Sequence, residues 1–254
     1  MLVSVIMPTY NCGRFIEDSV KSVLAQTVTD WELIIVDDCS SDDTVAVLEP
    51  YLKQYPNIRY YCLERNGGPA VARTEAMRRA GGKYLAFLDS DDLWSPEKLE
   101  RQIAFMQKSG AVFTCTGYSQ MDEDGNALGI VCMPPERTNY NGMLYRSNPI
   151  GNLTVMYDRE ALGDYEVPPI RKRNDFALWL RILRDTECCV GMPEVLGQYR
   201  IRKNSVSSNK LSLAKFHWQL YRQIEHLPLW KAGLAMISWA AAKTLGIGNG
   251  QRKL

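Results

Sequence analysis

Two histidines in 254 residues, and seven cysteines with no Cys-x-x-Cys spacing, leave little from which to build a zinc site. The cysteines (12, 39, 62, 115, 132, 188 and 189) form an odd, scattered set. They read as reduced thiols of a cytosolic protein rather than a disulfide framework. The amino terminus, Met1 to Ile6, shows no basic stretch followed by an apolar core, so no secretion signal is expected. No Gly-x-Gly-x-x-Gly follows the first apolar run, and no Gly-Lys-Ser/Thr P-loop occurs, which argues against dinucleotide and P-loop chemistry. Low-complexity tracts are absent too, and a hydrophobic share of 46% supports a packed core.

The net charge of +1 hides a split. From Arg200 onward stand ten Lys and Arg against one acid, Glu225, for +9; the first 199 residues carry 20 basic and 28 acidic side chains, for −8. A basic tail calls for an anionic partner, and an acidic body for cations of its own. No nucleic-acid partner is expected.

The acids concentrate at one place. Tyr84 to Leu88 is an apolar run after the breaker pair Gly81-Gly82, too short for a helix, and predicts a buried strand. It runs into Asp89-Ser90-Asp91-Asp92. Three carboxylates within four positions repel one another unless a cation sits among them. Mg²⁺ or Mn²⁺, with oxygen ligands and a bridging phosphate, suits that need. Taken alone, a solvated loop in which Asp92 or Ser95 caps a helix near Pro96 is the commoner arrangement. The rest of the chain reverses that balance.

Leu2 to Met7 predicts a strand stopped by Pro8, and Phe15, Ile16, Val20, Val23 and Leu24 mark a helix over Arg14 to Gln26. Leu33 to Val36 is a second strand, running into Asp37-Asp38; Ser41 or Asp42 caps a helix over Asp43 to Tyr55. Ile58 to Leu63 is a third strand, and a helix over Ala70 to Ala80 carries Arg73. This alternation predicts an α/β fold: a mostly parallel, Rossmann-like sheet flanked by helices. Ligands of such sheets sit at the strands' carboxyl ends, which here gather Tyr10, Asp38 and Asp91. The crevice would offer an aromatic ring, a carboxylate for a base or ribose, and a metal-holding pair for a diphosphate.

Five ordered segments carry a resemblance. They are VSVIMPTYN (3–11), WELIIVDDCSSD (31–42), NGGPAVAR (66–73), FLDSDDLWSP (87–96) and NDFALWLR (174–181), followed by Tyr199 to Ser207. Together they resemble the family 2 glycosyltransferases of GT-A fold, within them bacterial polysaccharide-assembly transferases of the teichuronic acid, O-antigen or capsule type. Thr74 departs from the family's usual Asn, and Asn174 from its usual Glu. The resemblance implies that Pro8, Tyr10 and Asp38 hold the nucleotide, with Asp38 accepting from a uracil imide. Asp37 either reaches the nucleoside or orients its loop. Asp89 would lie near ribose and metal, and Asp91 would coordinate the Mn²⁺ or Mg²⁺ that bridges the phosphates. Arg65, Arg73 and Arg202 would add positive charge, although Arg65 and Arg73 can equally pair with surface acids. Asp175 would be the general base of an inverting transfer; capping the helix of Leu178, Trp179, Ile182 and Leu183 is its structural alternative. Trp179 is expected in the core, with an acceptor wall as the other reading.

The remaining stretches say less. Ala111 to Tyr118 and Ala127 to Met133 read as strands joined by an Asp122–Asn126 turn, and residues 139–152 as a loop-rich acceptor region. Arg171-Lys172-Arg173 is either a substrate-covering loop or a solvated basic face. Arg200-x-Arg202-Lys203 follows an apparent strand and could close over a diphosphate. Residues 1–210 are expected to form the transferase domain, with donor half 1–98 and acceptor half 99–210; residues 211–254 form a helical extension. In that extension Leu229 to Leu245 is apolar but interrupted by Lys231 and Lys243, well short of the ~20 residues needed to cross a bilayer. Trp230 and Trp239 beside basic residues suit a helix lying in the membrane interface, against packing on its own domain or a homodimer partner. The expectation is an inverting, metal-dependent sugar transferase at the cytoplasmic membrane face. It would take a UDP-sugar donor and a glycan or lipid-diphosphate-linked acceptor. A sugar nucleotidyltransferase is the first alternative, although its Gly-x-Gly-Thr-Arg terminus is missing; a non-catalytic nucleotide-sugar scaffold is the second.

Overall fold

The computed structural model describes residues 1–145, 148–202, 210–244 and 250–253. It begins with β1 (Val3–Thr9), α1 (Gly13–Leu24), β2 (Trp31–Asp37), α2 (Thr44–Gln54), β3 (Ile58–Cys62), α3 (Pro69–Arg78) and β4 (Tyr84–Phe87). β1 lies between β2 and β4, with β3 beyond β2, all parallel. β1, β2 and β4 are buried along their length because both faces are covered, whereas the edge strand β3 leaves Arg59 and Cys62 exposed. Val5, Met7, Leu33 and Ile35 pack with Ile16 and Val20 of α1 and Leu48 of α2. Ile6, Ile34, Val36 and Phe87 meet Ala72, Ala76 and Met77 of α3 on the other face.

The chain continues through β5 (Leu93–Trp94), α4 (Lys98–Ser109), β6 (Phe113–Met121), β7 (Ala127–Cys132), β8 (Arg137–Thr138), α5 (Tyr140–Tyr145), β9 (Met156–Asp158) and α6 (Arg159–Leu162). Then come α7 (Asn174–Ile182), β10 (Cys189–Arg200), α8 (Lys210–Gln219), α9 (Leu229–Thr244) and β11 (Gln251–Lys253). β9 enters antiparallel between β4 and β6, and β7 pairs antiparallel beyond them. The whole sheet is therefore mixed. β10 runs parallel to β6 and antiparallel to β5, which ties the chain's later part to the turn after β4.

Several details depart from the sequence reading. Pro8 does not stop β1, which continues to Thr9 with Pro8 in register with Val36. The carbonyl of Ile6 receives Leu88 N–H on the β4 side, while that of Thr9 receives Asp38 N–H on the β2 side. Pro8 shares the orientation of Ile6, and β4 pairing has already ended there, so its missing N–H leaves no partner unmet. Neither Asp92 nor the Ser95 hydroxyl caps α4; the Ser95 carbonyl takes Lys98 N–H, and Asp92 is engaged elsewhere. The 139–152 region contains a short helix, α5. Trp179 is fully buried, edge-on to Phe87 at 5.0 Å, and is core rather than acceptor wall.

The helices after residue 210 share the core: Leu220, Tyr221, Ala232 and Ala235 join the cluster that contains α7. Of the two tryptophans read as interfacial, Trp239 packs on the His217 ring at 4.4 Å, so it is not a free interfacial residue; Trp230 is exposed. Among the described residues no helix is long and apolar enough to cross a membrane.

Candidate active site

The strand ends that face the crevice are laced together by short polar side chains. After β1, Asn11 adopts a left-handed φ of 46°, and after β2, Cys39 has a φ of 65°. Asn11 N–H donates to Ser40 Oγ, while Asn11 Oδ1 accepts from Ser41 N–H. Asp42 accepts from Gly13 N–H at the start of α1 and from Thr44 N–H at the start of α2. Burial would raise its carboxyl, but the bonds from Thr44 and Gly13 hold it below the usual range.

Asp37 is wholly buried, accepting from Ser40 N–H and Oγ and from the Tyr60 hydroxyl at 2.7 Å. It therefore orients the loop. Asp38 faces the crevice instead, held by the N–H groups of Gly67 (2.6 Å) and Gly68 (2.8 Å). Gly68 has a φ of 85°, which glycine adopts without strain, so this carboxylate-clasping turn depends on it. A carboxylate has about four acceptor sites, so Asp38 keeps capacity for a ligand.

At the end of β4 each site carboxylate meets an arginine. Arg73 Nη2 lies 2.8 Å from Asp89 Oδ1, and Arg202 Nη1 lies 2.9 Å from Asp91 Oδ2. Burial, then the neighbouring Asp89 charge, push the Asp91 carboxyl up against the pull of Arg202. Asp92 points away from this work. It is fully buried, pushed well up by burial and its neighbours, and its Oδ1 accepts Arg200 N–H at 2.9 Å. Arg200 fastens the turn from behind: Nε donates to the Asp91 carbonyl, and Nη1 to the Glu123 carbonyl. Nearby Cys12 is no nucleophile, because burial and the Asp91 charge push its thiol up to about 12.

The opposite wall comes from the start of α7. Arg73 reaches across to donate to Asn174 Oδ1, at the position where the family usually carries Glu. Asp175 stands in the first turn of α7, yet the helix's N-cap is Arg173, without side-chain capping. The Asp175 carboxylate instead accepts from Asn148 Nδ2 at 3.4 Å.

A cleft of about 770 Å³ joins these parts, within the ~300–1,000 Å³ usual for small-molecule sites. Pro8, Tyr10, Asp38, Arg73, Asp89, Asp91, Asp175 and Arg202 all line it. Arg65 does not; it is exposed in the β3–α3 connection, where the chain turns outward before Gly67. Lys203 to Ser207 lie outside the described residues. Sequence reasoning did not single out Asn148, Asn152 or Tyr118, all in the lining. Both amide atoms of Asn152 are shielded from solvent without a protein partner, a feature only packing reveals.

Asp89 and Asp91 can hold a metal. Each gives one oxygen to an arginine and keeps one. Among the described residues no group of three or more His, Cys, Asp or Glu converges. Such a two-carboxylate set fits Mg²⁺ or Mn²⁺, which take substrate phosphates and water for their remaining positions.

The fold and this cleft define the class. Residues 4–165 match the model of glycosyl transferase family 2, and the chain belongs to that family. It is 47% identical over 239 residues to TuaG of Bacillus subtilis, a glycosyltransferase assigned to teichuronic acid biosynthesis, covering 94% of each chain. It is 37% identical over 230 residues to WfgD of Escherichia coli, covering 90% of this chain and 88% of that one. WfgD is named as a UDP-Glc:α-D-GlcNAc-diphosphoundecaprenol β-1,3-glucosyltransferase. Staphylococcus aureus TarS with UDP-GlcNAc superposes with a TM-score of 0.76 at 22% identity, over 97% of this chain and 74% of that one. The fold is GT-A.

Proposed function

We propose that this glycosyltransferase moves a hexosyl group from a UDP-sugar, with inversion, onto a sugar carried by a lipid diphosphate. The reaction would be a step of bacterial surface polysaccharide synthesis at the cytoplasmic membrane face. The observation that carries this reading is the single cleft joining the Asp38 clasp, the Asp89–Asp91 turn and Asp175. The acceptor named for WfgD supports the lipid diphosphate.

Tyr10, half exposed at the rim, stacks on uracil while Asp38 accepts the imide N–H. Asp89 and Asp91 would hold a divalent cation, which when bound would supply positive charge to the leaving diphosphate. Arg73 and Arg202 extend that positive field without moving, which is where electrostatic catalysis draws its strength. Asp175, oriented by Asn148, takes the proton of the acceptor hydroxyl as its oxygen attacks C1 opposite the departing UDP. Asn152 offers both a donor and an acceptor to sugar hydroxyls. In this reading residues 1–98 serve the donor and 99–210 the acceptor. The 211–254 segment rests on the membrane through α9, where Leu229, Trp230, Leu234 and Ile237 are between 54 and 68% exposed.

The test is a panel of nucleotide sugars assayed with Mn²⁺ or Mg²⁺ and a lipid-diphosphate-linked N-acetylglucosamine. The expected product derives from a UDP-sugar, carries the inverted anomeric configuration by NMR, and disappears in excess chelator. Release of pyrophosphate would establish the nucleotidyltransferase instead. UDP binding with no donor consumed under any condition would establish the scaffold.

A further inference from the structure

The positive charges on the two sides of the cleft are differently committed. On the donor side, Arg73 is bound to Asp89 and Asn174, Arg202 to Asp91, and Arg200 to the Asp91 and Glu123 carbonyls. On the Asp175 side stand Arg171 and Arg173, both lining the same cleft. No acidic side chain among the described residues pairs with Arg171 or Arg173. Arg173 Nε is shielded from solvent with no acceptor, a costly state for a charged donor. Its backbone is held at a φ of 64°, a conformation a non-glycine residue keeps only where the surroundings require it. Arg173 is also the N-cap of α7 and makes no side-chain capping bond, so the helix adds a positive dipole end.

From these observations we infer that Arg171 and Arg173, with the α7 N-terminus, form a second anion site that binds the acceptor's own diphosphate. This rests on the proposed acceptor, a sugar on a lipid diphosphate. The argument is one of reach. The hydroxyl that attacks must come within hydrogen-bond distance of Asp175. The diphosphate of such an acceptor hangs from the same sugar ring. It therefore lies one hexose away from the base, wherever the ring sits. Arg173 is two residues and Arg171 four residues before Asp175, at most about 7 Å and 14 Å of extended chain. Cations at that remove match an acceptor whose first sugar receives the transfer. A neutral acceptor, or one extended by several sugars, would place no anion there. The site thus selects the earliest acceptor in chain growth.

The experiment measures binding and transfer separately. Decyl diphosphate is titrated calorimetrically into the full-length protein saturated with UDP and Mn²⁺, in wild type and in Arg171→Gln/Arg173→Asn; Asn tolerates the left-handed backbone. The wild type should bind it saturably, and the variant at least about tenfold more weakly, the loss of charge-assisted hydrogen bonds. UDP affinity should stay within about twofold, and Arg171→Lys/Arg173→Lys should recover part of the binding. In transfer assays, N-acetylglucosaminyl decyl diphosphate should exceed the decyl glycoside lacking the diphosphate in kcat/KM by at least about tenfold, and the variant should lose that preference. Failure of the wild type to bind decyl diphosphate, or equal binding by the variant, overturns the inference. So does weakened UDP affinity with acceptor preference intact, which would put these charges on the donor diphosphate. Saturable decyl diphosphate binding without any sugar transfer would leave the anion site standing and refute the proposed reaction instead.

Discussion

Asp175 shows how a carboxylate in the first turn of a helix can be left out of capping by its surroundings. A residue in the first turn of a helix commonly satisfies helix N–H groups, yet here the carboxylate meets Asn148 across the cleft. Asp175→Asn should therefore keep UDP-sugar binding and the melting temperature while transfer falls by at least about a hundredfold. A loss of stability or donor binding, with transfer of bound donor unchanged, would return it to a helix-capping role. Asp91 has the contrary dependence. Asp91→Asn should abolish the metal-supported part of UDP affinity and the activity, and circular dichroism should show an unchanged fold. Full turnover in that variant, or in excess chelator, would refute the metal assignment. Both residues were legible in the sequence because motif neighbours surround them. Arg200 was read as closing over a diphosphate and instead fastens the acidic turn through a bond to a residue 108 positions away; Asn152 was not legible, because shielding of its amide leaves no local pattern.

At the scale of elements, Asp42 joins two helices that the sequence reads as separate. One carboxylate accepts from the first residue of α1 and the first of α2, and so fixes the loops that carry Tyr10 and Asp38. Asp42→Ala should cost about 1 kcal/mol, as for other lost helix caps, and weaken UDP binding in parallel. Its folded carboxyl lies below the ordinary range. The stability it contributes is therefore present above the unfolded value of ~3.9, and is lost as pH falls through the lower, folded one. Denaturant titrations at pH 6 and pH 3 should show the wild-type advantage over the variant shrinking in acid; a constant gap would refute the linkage. The parallel strands were legible because apolar runs bounded by turn residues leave few other readings. The end of β1 was misread because a proline's tolerance depends on which neighbour its N–H would have faced.

The molecule as a whole is divided in charge, −8 in its first 199 residues and +9 beyond. Removing 228–254 takes away two tryptophans and four Lys or Arg, but none of the residues that line the cleft. Because the deletion also removes Ala232 and Ala235 from the core, the shortened protein should melt at a lower temperature. It should keep UDP affinity and donor hydrolysis, and lose transfer to lipid-linked acceptor in anionic vesicles. Full-length vesicle binding should weaken in high salt, since each basic residue near such a surface contributes about 1 kcal/mol. Equal vesicle binding by both forms would eliminate the anchor, and a changed oligomeric state on truncation would identify homodimer packing. The charge split was plain in composition; which tryptophan faces outward was not, because that depends on His217 one helix away. The buckle between Arg200 and the turn of Asp91 and Asp92 has a further consequence, in time rather than space. A chain still leaving the ribosome can complete its first four parallel strands and still lack the strand that pins the acidic turn. The acidic turn can be pinned only after residue 200 has emerged, well after the strands that lead into it.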